Sequence, residues 1–184
     1  MRHFLLVTFW GCCFSTLPAQ NLVLNPSFED IYECPQSLKE ITKVRWWNSA
    51  NAGSPDYFHT CCIPVDTAWD GRVITVCDVP DNLMGTQMPH SGEGYLGIIT
   101  LHQKPSKPRE YLQGQLSETM LASETYCVKF QVSLGEGSPM ASDGMGVLFT
   151  KNKLYLNRFE RLEQKPQIAN PAGNLLDDTT CLLY

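Results

Sequence analysis

Six cysteines constrain this chain more than any other feature: Cys34, Cys61, Cys62, Cys77, Cys127 and Cys181. How they are read depends on the leader in front of them. Met1-Arg2-His3 is a short positive start, and Phe4 to Phe14 is almost wholly apolar. Leu17-Pro18-Ala19-Gln20 then supplies a helix breaker and a small residue before the polar Asn21. This is the pattern of a secretory signal over residues 1–20, which would take Cys12 and Cys13 away with it. An even number of thiols in an exported chain points to bridges, although six cysteines allow about fifteen pairings. Cys34 with Cys61 or Cys62 is the preferred pair. On the chain-entropy account a loop of that size is worth about 3–4 kcal/mol. The neighbours Cys61 and Cys62 do not readily bridge each other, so they serve two partners or one stays free. A zinc site built from His59, Cys61, Cys62, Cys77 and His90 is the competing idea, and no paired C-x-x-C spacing supports it.

The remaining 21–184 stretch reads as one domain, with 18% charged residues and a net charge of −5 across the full 184 residues. No Lys/Arg cluster offers a phosphate-tracking surface, so nucleic acid is not an expected partner. Beyond the leader, no apolar run reaches the about 18–20 residues that a bilayer span needs.

Periodicity points to strands. In Tyr126–Leu134, Tyr126, Val128, Phe130, Val132 and Leu134 share one face, while Cys127, Lys129, Gln131 and Ser133 share the other. That period of two predicts a half-buried antiparallel strand. Shorter candidates are Glu110 to Leu116, Tyr95 to Leu101, Met145 to Phe149 and Leu22 to Leu24, with Gly, Pro, Asn and Asp turn signals between them. Asn48 to Val65 and Thr67 to Glu93 read as two long loops. Short strands around one core indicate an all-β antiparallel sandwich.

Several segments then carry a resemblance. They begin with Asn21-Leu22-Val23-Leu24-Asn25-Pro26-Ser27-Phe28-Glu29 and continue through Trp46, Gly53-Ser54-Pro55-Asp56-Tyr57-Phe58 and Cys61. Val79-Pro80-Asp81-Asn82, Gly85-x-Gln87, His90-Ser91-Gly92-x-x-Tyr95-x-Gly97-Ile98, Arg109-Glu110-Tyr111-Leu112 and Tyr126-Cys127-Val128 follow in order. Together they resemble exported carbohydrate-binding, galactose-binding-like jelly-roll modules of bacterial envelope proteins, often found ahead of an OmpA-like peptidoglycan-binding domain. The resemblance implies a non-catalytic binding module, exported to the periplasm, the outer membrane or the extracellular space. Its expected partners are a carbohydrate or an envelope protein. Further strands would be expected after Asp178-Thr179-Thr180, where the chain instead runs through Cys181-Leu182-Leu183-Tyr184. The expectation is a jelly roll lacking its last strands and exposing an edge.

The same resemblance suggests roles. Glu29 stands where related jelly rolls supply an oxygen to a structural Ca²⁺, and carbonyls around Ser91 to Glu93 could complete the shell. Trp46 is the expected core indole. Strand geometry then turns Trp47 to the other face, where it either covers the long loop in a satellite cluster, the preferred reading, or serves as a platform for a sugar ring, aided by Tyr57 or Trp69, with Asn48, Asn51 and Asp56 as polar neighbours. Arg109-Glu110-Tyr111 is a further polar edge, unless Arg109 and Glu110 merely join an ordinary cross-strand ion pair. Catalysis finds little support, because nothing pairs Asp56, Asp78 and Asp81 as a hydrolase requires. Two alternatives to glycan binding are a protein–protein or envelope-assembly module pairing through its open strand edge and, last, a glycoside hydrolase domain.

Overall fold

A computed structural model describes residues 20–63, 66–67, 73–101, 109–159, 161–179 and 182–183. All but the last residue of the expected signal over 1–20, together with Trp69 and Cys181, lies outside the described residues. Among the described residues every strand pair is antiparallel, and the one helical element is the 3-10 turn Ile41–Lys43. The chain is therefore all-β. No described helix is long and apolar enough to cross a membrane.

Twelve short strands follow in order among the described residues. They are β1 (Trp47–Ser49), β2 (Asp56–His59), β3 (Asp66–Thr67), β4 (Val73–Ile74), β5 (Asp81–Asn82) and β6 (Gly85–Thr86). The rest are β7 (Gly94–Gly97), β8 (Leu112–Gly114), β9 (Gln131–Val132), β10 (Gly146–Val147), β11 (Ile168–Ala169) and β12 (Leu182–Leu183). They join as β1–β8, β2–β7, β3–β4, β5–β6, β9–β12 and β10–β11.

The centre is β2 against β7, with Tyr57 opposite Leu96 and Phe58 opposite Tyr95. All four residues of β2 are buried. Phe58 stacks on Tyr95, ring centroids 5.0 Å apart. It packs with Cys62, Cys77 and Val79, and with the half-buried Leu38 and Val76 around them. The expected long loop Asn48 to Val65 thus contains the best-buried strand of the fold. Its residues, Asp-Tyr-Phe-His, are covered on both faces, so they show no alternation to read. Likewise, the expected loop Thr67 to Glu93 contains the β5–β6 hairpin.

Two disulfides pin this centre: Cys34–Cys61 and Cys62–Cys77. The chain turns at residues 60–61, where Cys62 N donates to His59 O at 2.8 Å, and the adjacent cysteines reach two different partners. Their sulfurs are thereby spent, which removes the zinc alternative. Among the described residues Cys127 is the free thiol, and it is exposed.

The Tyr126–Leu134 alternation reappears as burial. Tyr126, Val128, Phe130 and Val132 are half-buried, while Cys127, Lys129 and Gln131 are exposed. Among the described residues the hydrogen-bonded ladder covers Gln131 and Val132. Val128 and Phe130 instead line an open apolar groove of about 210 Å³ with Met145, Val147 and Ile168.

Candidate functional site

The Asn25–Glu29 segment organises two neighbouring features. Asn25, at φ 49°, folds its amide back onto the chain: Oδ1 accepts from Asp30 N, and Nδ2 donates to Asp30 O and Arg45 O. Residues 30–32 and 43–45 consequently run antiparallel, with Ile31 bridged to Val44 and Arg45 N donating to Asp30 O. In this ribbon Val44 is buried and Ile31 half-buried. The pleat therefore puts Asp30, Tyr32 and Arg45 on the opposite, outer face, while the Lys43 side chain, at the end of the 3-10 turn, is only 12% exposed.

That outer face is ordered. The Arg45 guanidinium lies 4.6 Å above the Tyr32 ring centroid, and its Nε is 3.0 Å from Asp30 Oδ1. Tyr32 is 67% exposed. Lys43 is held by Glu40 and Glu33, at 3.1 and 3.5 Å. Burial works against the charge on Glu40, but hydrogen bonds from Gln36 N and Ser37 N, with the Lys43 ammonium, outweigh it and hold the carboxyl below its usual range.

The next residue, Trp46, is 44% exposed and sits at φ 70°. A left-handed conformation costs a non-glycine residue about 1–2 kcal/mol. It ends the ribbon and starts β1, and the break reverses the pleat. Trp47 turns inward: its ring meets Phe28 edge-on at 5.0 Å, and its Nε1 donates to Asn25 O at 2.9 Å. Gly114 lies beneath the ring, where a Cβ would come within 2.8 Å of the indole. Trp46, expected in the core, is thus outside, while Trp47 packs as a covering side chain instead of standing open as a sugar platform.

The other expected sugar contacts are corrected by the same burial. Tyr57 is fully buried and donates its hydroxyl to Phe28 O at 3.0 Å. Burial first, then the charges of Glu29 and Glu93, push its phenol well above the ordinary range. Asp56 is 7% exposed and accepts from Lys39 N at 2.7 Å. Glu110 is buried as well, accepting from Ser54 N and Ile99 N, so it pins backbone rather than joining a surface ion pair with Arg109. Arg109 is half-buried and gives its carbonyl to Asn51 Nδ2.

The second feature lies around Glu29. Its Oε1 accepts from Glu93 N and Gly94 N at 2.8 and 3.2 Å. Its Oε2 is 3.5 Å from His59 Nε2, and Glu93 Oε2 is 3.9 Å from the same nitrogen. One donor atom from each of Glu29, His59 and Glu93 lies within 4.8 Å of the others, so the three could hold a metal ion. His59 is 5% exposed, and its Nδ1 accepts from Cys61 N at 3.0 Å. The neutral ring therefore carries its proton on Nε2, and an ion bound there would displace that proton. Toward Glu29 itself, residues 93 and 94 present two backbone N–H donors. Gly92, at φ 74°, is required because a Cβ there would overlap the Glu29 carboxylate.

A prediction follows from these bonds. Glu29→Ala leaves two backbone N–H groups without their charged acceptor and should cost about 2 kcal/mol. Glu29→Gln keeps one oxygen and should cost less than half of that. Urea midpoints of the two variants check the order, and equal losses would contradict it.

Comparison of the chain with protein-family models, with curated proteins and with solved structures returned no match.

Proposed function

We propose that this chain is an exported, non-catalytic carbohydrate-binding module on the jelly-roll plan, with Trp46 as the aromatic on which a sugar ring rests. One observation carries the reading: an exposed indole held at φ 70°, next in sequence to an ordered Asp30–Arg45–Tyr32 face. Strain of this kind persists where the surroundings impose it, and it gathers at functional positions. Sugar sites combine an aromatic face for C–H groups with polar side chains for hydroxyls. The disulfides suit an oxidising compartment and so support export.

The acids that a hydrolase would use are committed elsewhere. Asp56 and Glu110 hold backbone N–H groups inside the fold. Asp78 accepts from Val79 N, and Asp81 from the Thr86 hydroxyl. In this reading a cation at Glu29, His59 and Glu93 holds a turn, and mixed nitrogen and oxygen donors favour a d-block ion over Ca²⁺.

Binding to an array of immobilised oligosaccharides tests the proposal. Trp46→Ala should lower affinity at least tenfold, about the loss of one stacking contact of 1.4 kcal/mol or more, with the thermal midpoint unchanged. Undiminished binding by that variant would refute Trp46 as the platform.

A second reading is supported by the groove beside β10 and β11, where Ile168 is 48% exposed. An extended segment of an envelope protein could lie along this open edge. That reading predicts capture of an apolar extended peptide, insensitive to added sugar and lost in Ile168→Asp.

A further inference from the structure

The outer face of the 30–32/43–45 ribbon also says what kind of sugar would be taken. This inference rests on the carbohydrate reading above and deepens it. We infer that Asp30 and Arg45, beside Tyr32, form the polar half of the binding site and select an uncharged sugar carrying two adjacent hydroxyls.

Asp30 and Arg45 neutralise each other. Two residues along, Lys43 stands against both Glu33 and Glu40, a separate group that is net negative by one, on a chain whose net charge is −5. An acidic ligand finds neither cation unopposed and meets repulsion from the whole molecule. A neutral one meets no such repulsion.

A hydroxyl donates once and accepts through its lone pairs, so two neighbouring hydroxyls are best met by one donor and one acceptor side by side. Asp30 is acceptor-only when ionised, and Arg45 is donor-only. Arg45 Nε is already engaged by Asp30 Oδ1 at 3.0 Å and, more weakly, by Ile31 O at 3.4 Å. The Nη1/Nη2 end of the guanidinium is therefore the part left for a ligand. Asp30 has its second carboxylate oxygen beyond the one bound to Nε.

Arg45 is stacked on Tyr32, and Asn25 clamps the backbone of both Asp30 and Arg45. The donor and acceptor are thus fixed before any ligand arrives, and less rotamer freedom is lost on binding. Lysine could not replace Arg45, because it lacks both the fork and the plane that stacks.

An array pairing neutral hexose oligosaccharides with their uronic-acid counterparts, and with deoxy analogues lacking one of two adjacent hydroxyls, tests this on the full chain. The native protein should prefer a neutral member at least tenfold over its uronate, with little dependence on salt. The matching deoxy analogue should lose at least tenfold, since a site built for a hydroxyl is left unpaired without it. Asp30→Asn and Arg45→Lys should each lose about tenfold, and Asp30→Asn, which removes a negative charge, should also flatten the neutral-over-acid preference while Arg45→Lys leaves it in place, with unchanged near-ultraviolet circular dichroism in both. Stronger binding of uronates, or full binding by both variants while Trp46→Ala binds nothing, would overturn this inference and leave the carbohydrate reading standing. Binding to no member of the array would overturn both.

Discussion

Trp47→Ala is expected to destabilise the protein by about 3 kcal/mol, while Trp46→Ala changes stability little. Removing a packed large aromatic costs about 3–5 kcal/mol in well-filled interiors, and Trp47, half-buried, belongs near the lower end. Three contacts are lost with its indole: the edge-on meeting with Phe28, the close approach over Gly114, and the Nε1–H bond to Asn25 O. The last loss spreads, because Asn25 also clamps Asp30 and Arg45. At Trp46 the balance differs. A 44% exposed ring gives up little buried area, and alanine at φ 70° inherits the same strain. Equilibrium denaturation of the two variants side by side checks the contrast. Equal losses would mean that the two indoles share the interior.

The second large effect is pH-dependent. Burial lifts the Asp56 carboxyl to about 6, against 3.8 for a free side chain; the Lys39 N–H opposes the shift, and the charge of Glu110 adds to it. A folded value above the unfolded one means that the fold favours the protonated acid. That contribution is complete below about 3.8 and is lost as pH rises to about 6. Above that window the buried charge is a penalty of up to about 3 kcal/mol. Asp56→Asn keeps an oxygen for Lys39 N and cannot ionise, so it should be more stable than the native chain at pH 7.5 and no more stable at pH 4. Glu40 acts in the opposite sense: its lowered carboxyl gives stability above its unfolded value of 4.5 that fades as pH falls below it. Urea midpoints from pH 3.5 to 8 separate the two groups. A constant difference between the native chain and the Asp56→Asn variant across that range would rule out a buried titration at Asp56.

How much could be read beforehand differs by residue. The bridges were legible in part: Cys34 with Cys61 or Cys62 closed a loop of suitable length, but nothing in the sequence joined Cys62 to Cys77. The strand class was legible in Tyr126–Val132, whose burial alternates as its residues do. The extent of pairing was not, because a ladder needs a partner and the alternation describes one strand alone. β2 escaped notice because both its faces are buried, and a strand covered on both sides has no period to show. The site was half-legible. Two consecutive indoles in extended chain point apart, but which one faces outward was decided by a single left-handed residue at 46. Nothing local in Arg45-Trp46-Trp47 announces that break. Glu29 was recognised as a ligand-like acid, yet its partners, Glu93 N, Gly94 N and His59, come from 30 or more residues away. Tyr32 and Arg45 were missed entirely. Their pairing depends on the ribbon that Asn25 closes, and a polar side chain folded back onto its own backbone is the one signal that could have found it.

The most direct test of the central claim is to follow the indole N–H resonances of the ¹⁵N-labelled protein while a neutral oligosaccharide is added. Trp46 should shift and saturate with the ligand, and Trp47, whose N–H is held by Asn25 O, should stay in place. A saturating shift of Trp47 with Trp46 unmoved would contradict the account.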